Sequence, residues 1–142
     1  MMDRPDHVQY YERIKSMFRG YGEIKTNLPT NEILKLYANC FAVLFTSINE
    51  DFGLVPLEAF ASSKPCIAMN EGGPREIVKR GVGYLVNDSD EMAERMKYLT
   101  EHLDEAEGMG KAGRKYVEKN FSWKNFMKRF EKVCLELSKN RP

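Results

Sequence analysis

The sequence predicts an α/β fold in which helices cover a parallel sheet. Short β-branched or aromatic runs alternate with segments whose apolar residues recur at helical spacing, as in successive strand–helix units. Two of the runs, residues 41–45 and 66–69, are continuously apolar, which is typical of strands buried on both faces. With 142 residues, the chain is long enough for one domain with a sizeable core.

The composition indicates a globular chain with no bias toward a charged partner. Hydrophobic residues make up 42%, charged residues 30%, and the formal net charge is +1, so nothing favours nucleic acid as a partner. The polar residues 1–6 have no signal-peptide pattern, and no apolar run reaches membrane-spanning length. Cys40, Cys66 and Cys134 lie far apart in apolar surroundings, which predicts reduced core or near-core thiols in a cytoplasmic protein. The two histidines have no ligand pattern around them, so we expect no bound metal.

Three elements are predicted before the strand at residues 41–46, which we expect in the centre of the sheet. Apolar residues at helical spacing predict a helix over residues 8–18. Residues 23–28 predict a short strand. Thr30 is placed to cap a helix over residues 31–39. The predicted core face of that helix consists of Ile33, Leu34, Tyr37 and Ala38.

After this strand, helices alternate with strands at residues 66–69 and 84–86. Pro56 suits the first position of a helix, because its missing N–H would have no partner there. That helix should end near Ser62, shortly before the next proline. Pro74 then opens a second, short helix.

Three helices are predicted in the last third of the chain. Asp88 and Glu91 have the offset of a capping box at the start of a helix over residues 90–102. A polar helix over residues 105–119 is expected to be solvated. Ser122 is placed to cap a last helix with an apolar stripe. The stripe consists of Phe126, Phe130, Val133, Cys134 and Leu137.

Two carboxylates, Glu50 and Glu58, bracket the loop that leads from a strand to a helix. Ligands of open parallel sheets bind beyond the carboxyl ends of the strands, where this loop and residues 70–74 and 87–89 lie. Gly53 lets the backbone approach a ligand, and the next helix directs free N–H groups toward it, which suits a diphosphate. Glu58 is placed to accept hydrogen bonds from a ribose diol. Glu50 is placed to hold sugar hydroxyls or a positive charge developing at the anomeric carbon.

Gly72 and Gly73 form a second close-approach turn, one strand later in the sequence. Simpler interpretations stay open for each group. Glu58 can be a helix N-terminal acid that favours the dipole, Glu50 a solvated loop carboxylate, and the two glycines a plain turn. Arg75 is the nearby cation that can reach a phosphate.

These residues resemble the Glu-x7-Glu signature of the family 4 retaining glycosyltransferases. The signature covers residues 47–61, and further blocks match in the same order at residues 64–68, 72–78, 83–86 and 121–123. The family has the GT-B architecture, in which two Rossmann-like domains face a cleft and the C-terminal one holds most of the sugar donor. The resemblance implies that residues 1–142 form one domain. Its fold would be α/β, with a three-layer Rossmann-like parallel sheet, as in the C-terminal half of a GT-B fold that lacks its first two strands.

The resemblance implies retaining transfer of a hexose from a nucleotide sugar, GDP-mannose or a UDP-hexose, in glycan or glycolipid synthesis. No cofactor and no metal would be needed. Glu50 would contact the donor sugar as the catalytic residue, and Glu58 would bind the ribose. Phe52, Gly53 and Leu54 would offer backbone groups to sugar and phosphate, and the double glycine would complete the donor site. The Glu-Asp-Phe-Gly variant is similar to a mannosyltransferase branch, and the full enzyme would act in the cytoplasm or at the inner membrane face.

The resemblance also implies that parts of the family's enzyme are absent from this chain. The family's C-terminal domain begins with two further strands and a helix, which carry an Arg and a Lys that grip the diphosphate. We therefore expect the isolated chain to transfer no sugar without the acceptor domain or a partner chain. Either the strand at residues 23–28 lies beside the one at 41–46, or an open edge pairs with another copy. The alternative is a non-catalytic sugar-nucleotide-binding module or a subunit that needs a partner chain.

Overall fold

The computed structural model describes residues 5–139, which fall into two units divided between Leu34 and Lys35. Residues 1–4, most of the polar start, lie outside the described residues, as do residues 140–142. In chain order the elements are α1 (Pro5–Phe18), α2 (Thr30–Asn39), β1 (Val43–Phe45), α3 (Leu54–Ala61), β2 (Cys66–Met69), α4 (Pro74–Ile77), β3 (Gly83–Val86), α5 (Ser89–Glu101), α6 (Leu103–Asn120) and α7 (Trp123–Lys139).

The predicted strand at residues 23–28 is wrong, whereas the predicted helix before it is confirmed as α1. Residues 23–28 have no regular secondary structure, and Asn27 has a φ of 53°. The alternation of polar side chains with Ile24, Thr26 and Leu28 is compatible with a strand. A strand forms, however, only where a neighbouring strand completes its backbone hydrogen bonds. No strand in residues 5–139 pairs with this segment. The alternative in which this strand pairs with the one at residues 41–46 therefore fails, because the strand does not form.

The helix α2 is confirmed, but its predicted core face is wrong. Three members of that face are exposed: Ile33, Leu34 and Ala38. Tyr37 is half-buried and packs against the core of the second unit. At the helix start, two N–H groups donate to the Pro29 carbonyl oxygen, and the Thr30 side chain makes no capping hydrogen bond in the described part of the chain.

The sheet has three strands in the order β1-β2-β3, and they are parallel, as predicted. Val43 aligns with Cys66, and Cys66 aligns with Gly83. Since β1 lies at one edge, the expectation of a central, fully buried strand at residues 41–46 is wrong. Leu44 is exposed, and the outer edge of β1 has no strand partner within residues 5–139.

An apolar cluster packs against each face of the sheet, which confirms the predicted three layers. Along β2, Cys66 and Ala68 belong to one apolar cluster, which includes Phe60 of α3, whereas Ile67 belongs to a second. Successive side chains of a strand point to opposite faces, so the two clusters occupy opposite sides of the sheet. The second cluster contains Leu99 of α5.

The cysteines differ in their surroundings. Cys66 is fully buried, and burial raises its pKa to about 12, as expected for an inert core thiol. Cys40 is half-buried, and burial raises its pKa as well. The prediction is wrong for Cys134, which is exposed on α7. All three are free thiols.

The helix α6 is more buried than its charged composition predicts. Ala106, Met109, Gly110 and Gly113 are buried, and the helix packs against α3. A Cβ on Gly110 would overlap the Ser63 carbonyl oxygen. These glycines therefore let the two helices approach closely, and the expectation that this segment is solvated is wrong.

The last helix, α7, begins as predicted. The Ser122 Oγ accepts a hydrogen bond from the Asn125 N–H at 3.4 Å. Its apolar stripe forms, but all of the predicted members of the stripe are exposed. On this face the rings of Trp123, Phe126 and Phe130 stack on one another, with centroids 5.1 and 6.0 Å apart.

The start of α5 is capped by Asp88, whose Oδ1 accepts hydrogen bonds from the N–H groups of Asp90 and Glu91 at 2.9 and 2.8 Å. We expect Asp88→Ala to lower the free energy of unfolding by about 1 kcal/mol, because two N–H groups lose their acceptor. Urea unfolding measures this as a lower midpoint at an unchanged slope. Ser89→Ala is the matched control, and equal midpoints for the two variants would contradict the assignment of the cap.

Candidate functional site

Three loops meet at one edge of the sheet, as the sequence predicts. They follow β1, β2 and β3 and occupy residues 46–53, 70–73 and 87–88. The strands are parallel, so their carboxyl ends all lie at this edge, where open α/β sheets bind ligands.

Glu50 shapes the first of these loops with both its side chain and its backbone. Its Oε1 accepts a hydrogen bond from the Gly53 N–H at 3.1 Å. Its carbonyl oxygen accepts another from the Gly73 N–H at 2.7 Å, which joins the first loop to the second. Glu50 is half-buried, so it is not simply a solvated loop carboxylate.

Gly53 is the N-cap of α3 and adopts the left-handed conformation, with φ 91° and ψ 58°. Only glycine takes this conformation at little cost. The Gly53 N–H is already used by Glu50, but the next two, of Leu54 and Val55, have no acceptor in residues 5–139. The helix begins two residues earlier than predicted, so Pro56 is its third residue rather than its first. The start of α3 thus presents two free donors.

Glu58 lies beyond the first turn of α3, which contains no acidic residue. Its interpretation as a simple dipole-favouring acid therefore loses its basis, because that effect is confined to the first turn. Its side chain is exposed, and its Oε2 accepts a hydrogen bond from the Tyr37 hydroxyl at 2.7 Å. Tyr37 is the residue here that sequence reasoning missed. Its helical spacing indicated only a core position.

The backbones of the first and second loops approach each other so closely that the second loop needs glycine at two positions. A Cβ on Gly72 would overlap the Glu50 carbonyl oxygen, and a Cβ on Gly73 would lie 2.6 Å from the Phe52 Cα. The N–H groups that open α4 differ from those of α3, because Arg75 and Glu76 donate to the carbonyl oxygens of Gly72 and Gly73. The double glycine therefore packs the two loops together, and the start of α4 offers fewer donors than the sequence pattern predicts.

An open cleft of about 510 Å³ lies between the first two loops. Its lining includes four acidic side chains, Glu50, Asp51, Glu71 and Glu76, and one basic side chain, Arg75. Glu58 is not part of this lining. Of the two predicted carboxylates, only Glu50 therefore lines this cleft.

A polar network that the sequence did not indicate holds Arg75 at this cleft. Its Nε donates to the carbonyl oxygen of Asn70 at 2.7 Å. The Asn70 Nδ2 donates to the Asn87 Oδ1 at 3.0 Å, and Asn87 is in turn bonded to Glu91. The network links the loops after β2 and β3 and fixes the position of the arginine. Neither asparagine stands in a pattern that reveals this pairing from sequence.

The side chains of Phe52 and Leu54 are both exposed. Phe52 also lines a second cavity, of about 580 Å³, with Phe121, Trp123 and Phe126 among its walls. The predicted use of the Phe52 and Leu54 backbone groups by a donor stays a prediction.

Within residues 5–139, none of the helices is both long and apolar enough to cross a membrane. The same part of the chain contains no group of three or more His, Cys, Asp or Glu residues arranged to hold a metal ion.

Residues 23–116, well over half of the chain, match the family described as glycosyl transferases group 1. The chain belongs to this family. Human alpha-1,3/1,6-mannosyltransferase ALG2 is 32% identical to this group 1 glycosyltransferase chain over 139 residues, which are 93% of this chain and 33% of the human protein.

Two solved structures share the fold of the chain. One is the C-terminal domain of a glycosyl transferase group 1 family protein, LpcC, from Francisella tularensis, with a TM-score of 0.74, 25% identity and coverage of 84% of this chain and 66% of that one. The other is Anabaena HepE in complex with UDP-glucose, with a TM-score of 0.79, 23% identity and coverage of 94% of this chain and 38% of that one. The predicted likeness to the C-terminal half of a GT-B fold is thereby confirmed. The chain spans about a third of the length of its human relative.

Proposed function

We propose that this chain is the donor-binding domain of a retaining hexosyltransferase and binds a nucleoside diphosphate sugar across the start of α3. One observation carries the proposal. In the sequence, two residues with free N–H groups, Leu54 and Val55, lie between the two carboxylates of the Glu-x7-Glu signature. The chain that carries them is a member of the group 1 glycosyltransferases.

The diphosphate fits the start of α3. Free N–H groups and the positive end of the helix dipole attract anions there. The same donors stabilise the charge that builds on a departing nucleoside diphosphate. The start of α4 is less suitable, because its N–H groups are used by the Gly72 and Gly73 carbonyl oxygens.

The sugar fits the cleft beside Glu50. Four carboxylates among its lining would repel a diphosphate but accept hydrogen bonds from sugar hydroxyls. Glu50 is half-buried and bonded to the Gly53 N–H, and we assign it to the donor sugar, as the resemblance implies. Glu58, which lies outside the lining of this cleft, would accept hydrogen bonds from the ribose diol. The similarity to human ALG2 favours mannose as the transferred sugar.

The chain covers only part of its human relative's length, which supports a division between donor binding and sugar transfer. Since it spans about a third of human ALG2, we propose that these residues bind the donor while transfer needs an acceptor domain or partner chain. We therefore expect the 142-residue chain to show no turnover of a nucleotide sugar. Measured turnover would contradict this division but not the donor site itself.

Calorimetric titration of the chain with GDP-mannose, UDP-glucose and ADP-glucose tests the proposal. We expect one-to-one binding of at least one of them at roughly millimolar affinity or tighter. The base and sugar that bind most tightly identify the donor. The absence of binding by all three would overturn the proposed function.

A further inference from the structure

Tyr37 makes the one hydrogen bond to the Glu58 carboxylate within residues 5–139. Its hydroxyl donates to Glu58 Oε2 at 2.7 Å, and the bond joins α2 to α3 across 21 residues of sequence. No lysine or arginine forms an ion pair with Glu58 in the same part of the chain. The orientation of this exposed carboxylate therefore depends on a single neutral donor.

The donor itself is well anchored. The Tyr37 ring is half-buried and packs against the apolar cluster that contains Phe45, Phe60 and Cys66. Burial, and after it the hydrogen bond to Glu58, raises the pKa of Tyr37, so the hydroxyl stays protonated at neutral pH. A rigid ring and a hydroxyl that keeps its proton make a donor with a fixed position and direction.

The bond leaves most of the carboxylate available to a ligand. An ionised carboxylate has about four acceptor positions on its two oxygens, and Tyr37 fills one of them. The Glu58 Oε1 and the second position on Oε2 remain able to accept the two hydroxyls of a vicinal diol. Holding the side chain in one orientation lowers the rotamer entropy that binding would otherwise cost.

We propose that Tyr37 is a positioning residue that orients Glu58 for the ribose hydroxyls of a nucleoside diphosphate. The inference rests on the proposed function, because it assigns Glu58 to the ribose. It adds a residue outside the Glu-x7-Glu signature to the donor site. Tyr37 touches no ligand itself and acts only through Glu58.

The chain offers a matched control for Tyr37→Phe. The Tyr98 hydroxyl also donates to a glutamate oxygen, Glu105 Oε2, at the same distance of 2.7 Å. This second pair joins α5 to α6, and neither of its residues belongs to the three loops of the site. Tyr37→Phe and Tyr98→Phe thus remove the same group and the same kind of bond, and both keep the aromatic ring.

Calorimetric titration with GDP and with UDP, each compared with its 2′,3′-dideoxy analogue, tests the inference. Tyr37→Phe should weaken binding of the ribonucleotide about three- to tenfold, as expected from one net hydrogen bond, and leave the dideoxy analogue unaffected. In a Glu58→Ala background it should cause no further loss. Tyr98→Phe should leave both affinities unchanged.

Two results would overturn the inference alone. One is unchanged ribonucleotide binding by Tyr37→Phe when Glu58→Ala weakens it. The other is an equal loss of the ribonucleotide and of its dideoxy analogue, which would mean that the bond has only a structural role. Failure of the unaltered chain to bind any nucleotide would overturn both this inference and the proposed function.

Discussion

Gly73→Ala should separate the first two loops of the site and abolish donor binding. A Cβ at this position would lie 2.6 Å from the Phe52 Cα and even closer to the Phe52 carbonyl group, and backbone atoms cannot rotate aside. The loops must move apart, which would break the 2.7 Å hydrogen bond from the Gly73 N–H to the Glu50 carbonyl oxygen. We expect a loss of about 1–3 kcal/mol in the free energy of unfolding, as for overpacked cores.

The backbone conformation of Gly73 makes this a purely steric test. Its φ of −57° and ψ of −38° suit alanine as well as glycine, so no strain in the dihedral angles contributes. Gly108→Ala is the control, because that glycine lies within α6 and a Cβ there would meet nothing within 4 Å. Alanine should stabilise this second position by about 0.5–1 kcal/mol. Urea midpoints that fall for Gly108→Ala, or stay unchanged for Gly73→Ala, would contradict the account.

Glu50 and Glu58 should affect different parts of the donor. Glu58→Ala should weaken binding of a nucleoside diphosphate and of its sugar conjugate equally, because both contain the ribose. Glu50→Ala should weaken the sugar conjugate more than the free diphosphate, because Glu50 lines the cleft from which Glu58 is absent. Each loss should be about 10- to 100-fold, since hydrogen bonds to charged groups contribute roughly 1.5–3 kcal/mol.

Calorimetry with paired ligands, GDP and GDP-mannose or UDP and UDP-glucose, measures this difference. Asp51→Ala is the control for Glu50, because it lies next in the chain and removes a carboxylate from the same cleft. We expect Asp51→Ala to cost less than Glu50→Ala, which also loses the hydrogen bond to Gly53. If Glu50→Ala weakens the free diphosphate as much as its conjugate, the division between sugar and ribose is wrong.

Local signals in the sequence predicted much of the second unit. The continuously apolar run at residues 66–69 forms β2, and Asp88 caps the start of α5, as expected. The prediction of the carboxyl-edge loops followed from the parallel direction of the strands, because parallel strands have their carboxyl ends at one edge of the sheet. Such features depend on neighbours in the sequence and on a general rule of topology.

The features that the sequence did not predict share a different cause. Each depends on which distant part of the chain contacts a segment. Residues 23–28 have the alternation of a strand, but no described strand pairs with them. The apolar residues of α7 have helical spacing, but the stripe is exposed. The bond from Tyr37 to Glu58 joins residues 21 positions apart, and no spacing rule links them.

At the start of α3, the structure adds information that the sequence motif does not contain. The signature names Glu50, Gly53 and Glu58 but does not say which backbone donors are free. The structure assigns the Gly53 N–H to Glu50 and leaves those of Leu54 and Val55 without an acceptor in residues 5–139. The proposed diphosphate site thus shifts by one residue from the glycine that first indicated it.

Chemical-shift mapping of the isotope-labelled chain during titration with GDP-mannose or UDP-glucose tests the proposed donor site residue by residue. We expect the largest changes on the backbone amides of Gly53, Leu54, Val55 and Gly73, and we expect Glu58→Ala to reduce them. The first unit provides a comparison, because it has a cavity of about 710 Å³ whose lining residues lie between Tyr11 and Lys25 in the sequence. Changes centred on that cavity, or none at the start of α3, would contradict the assignment of the donor site.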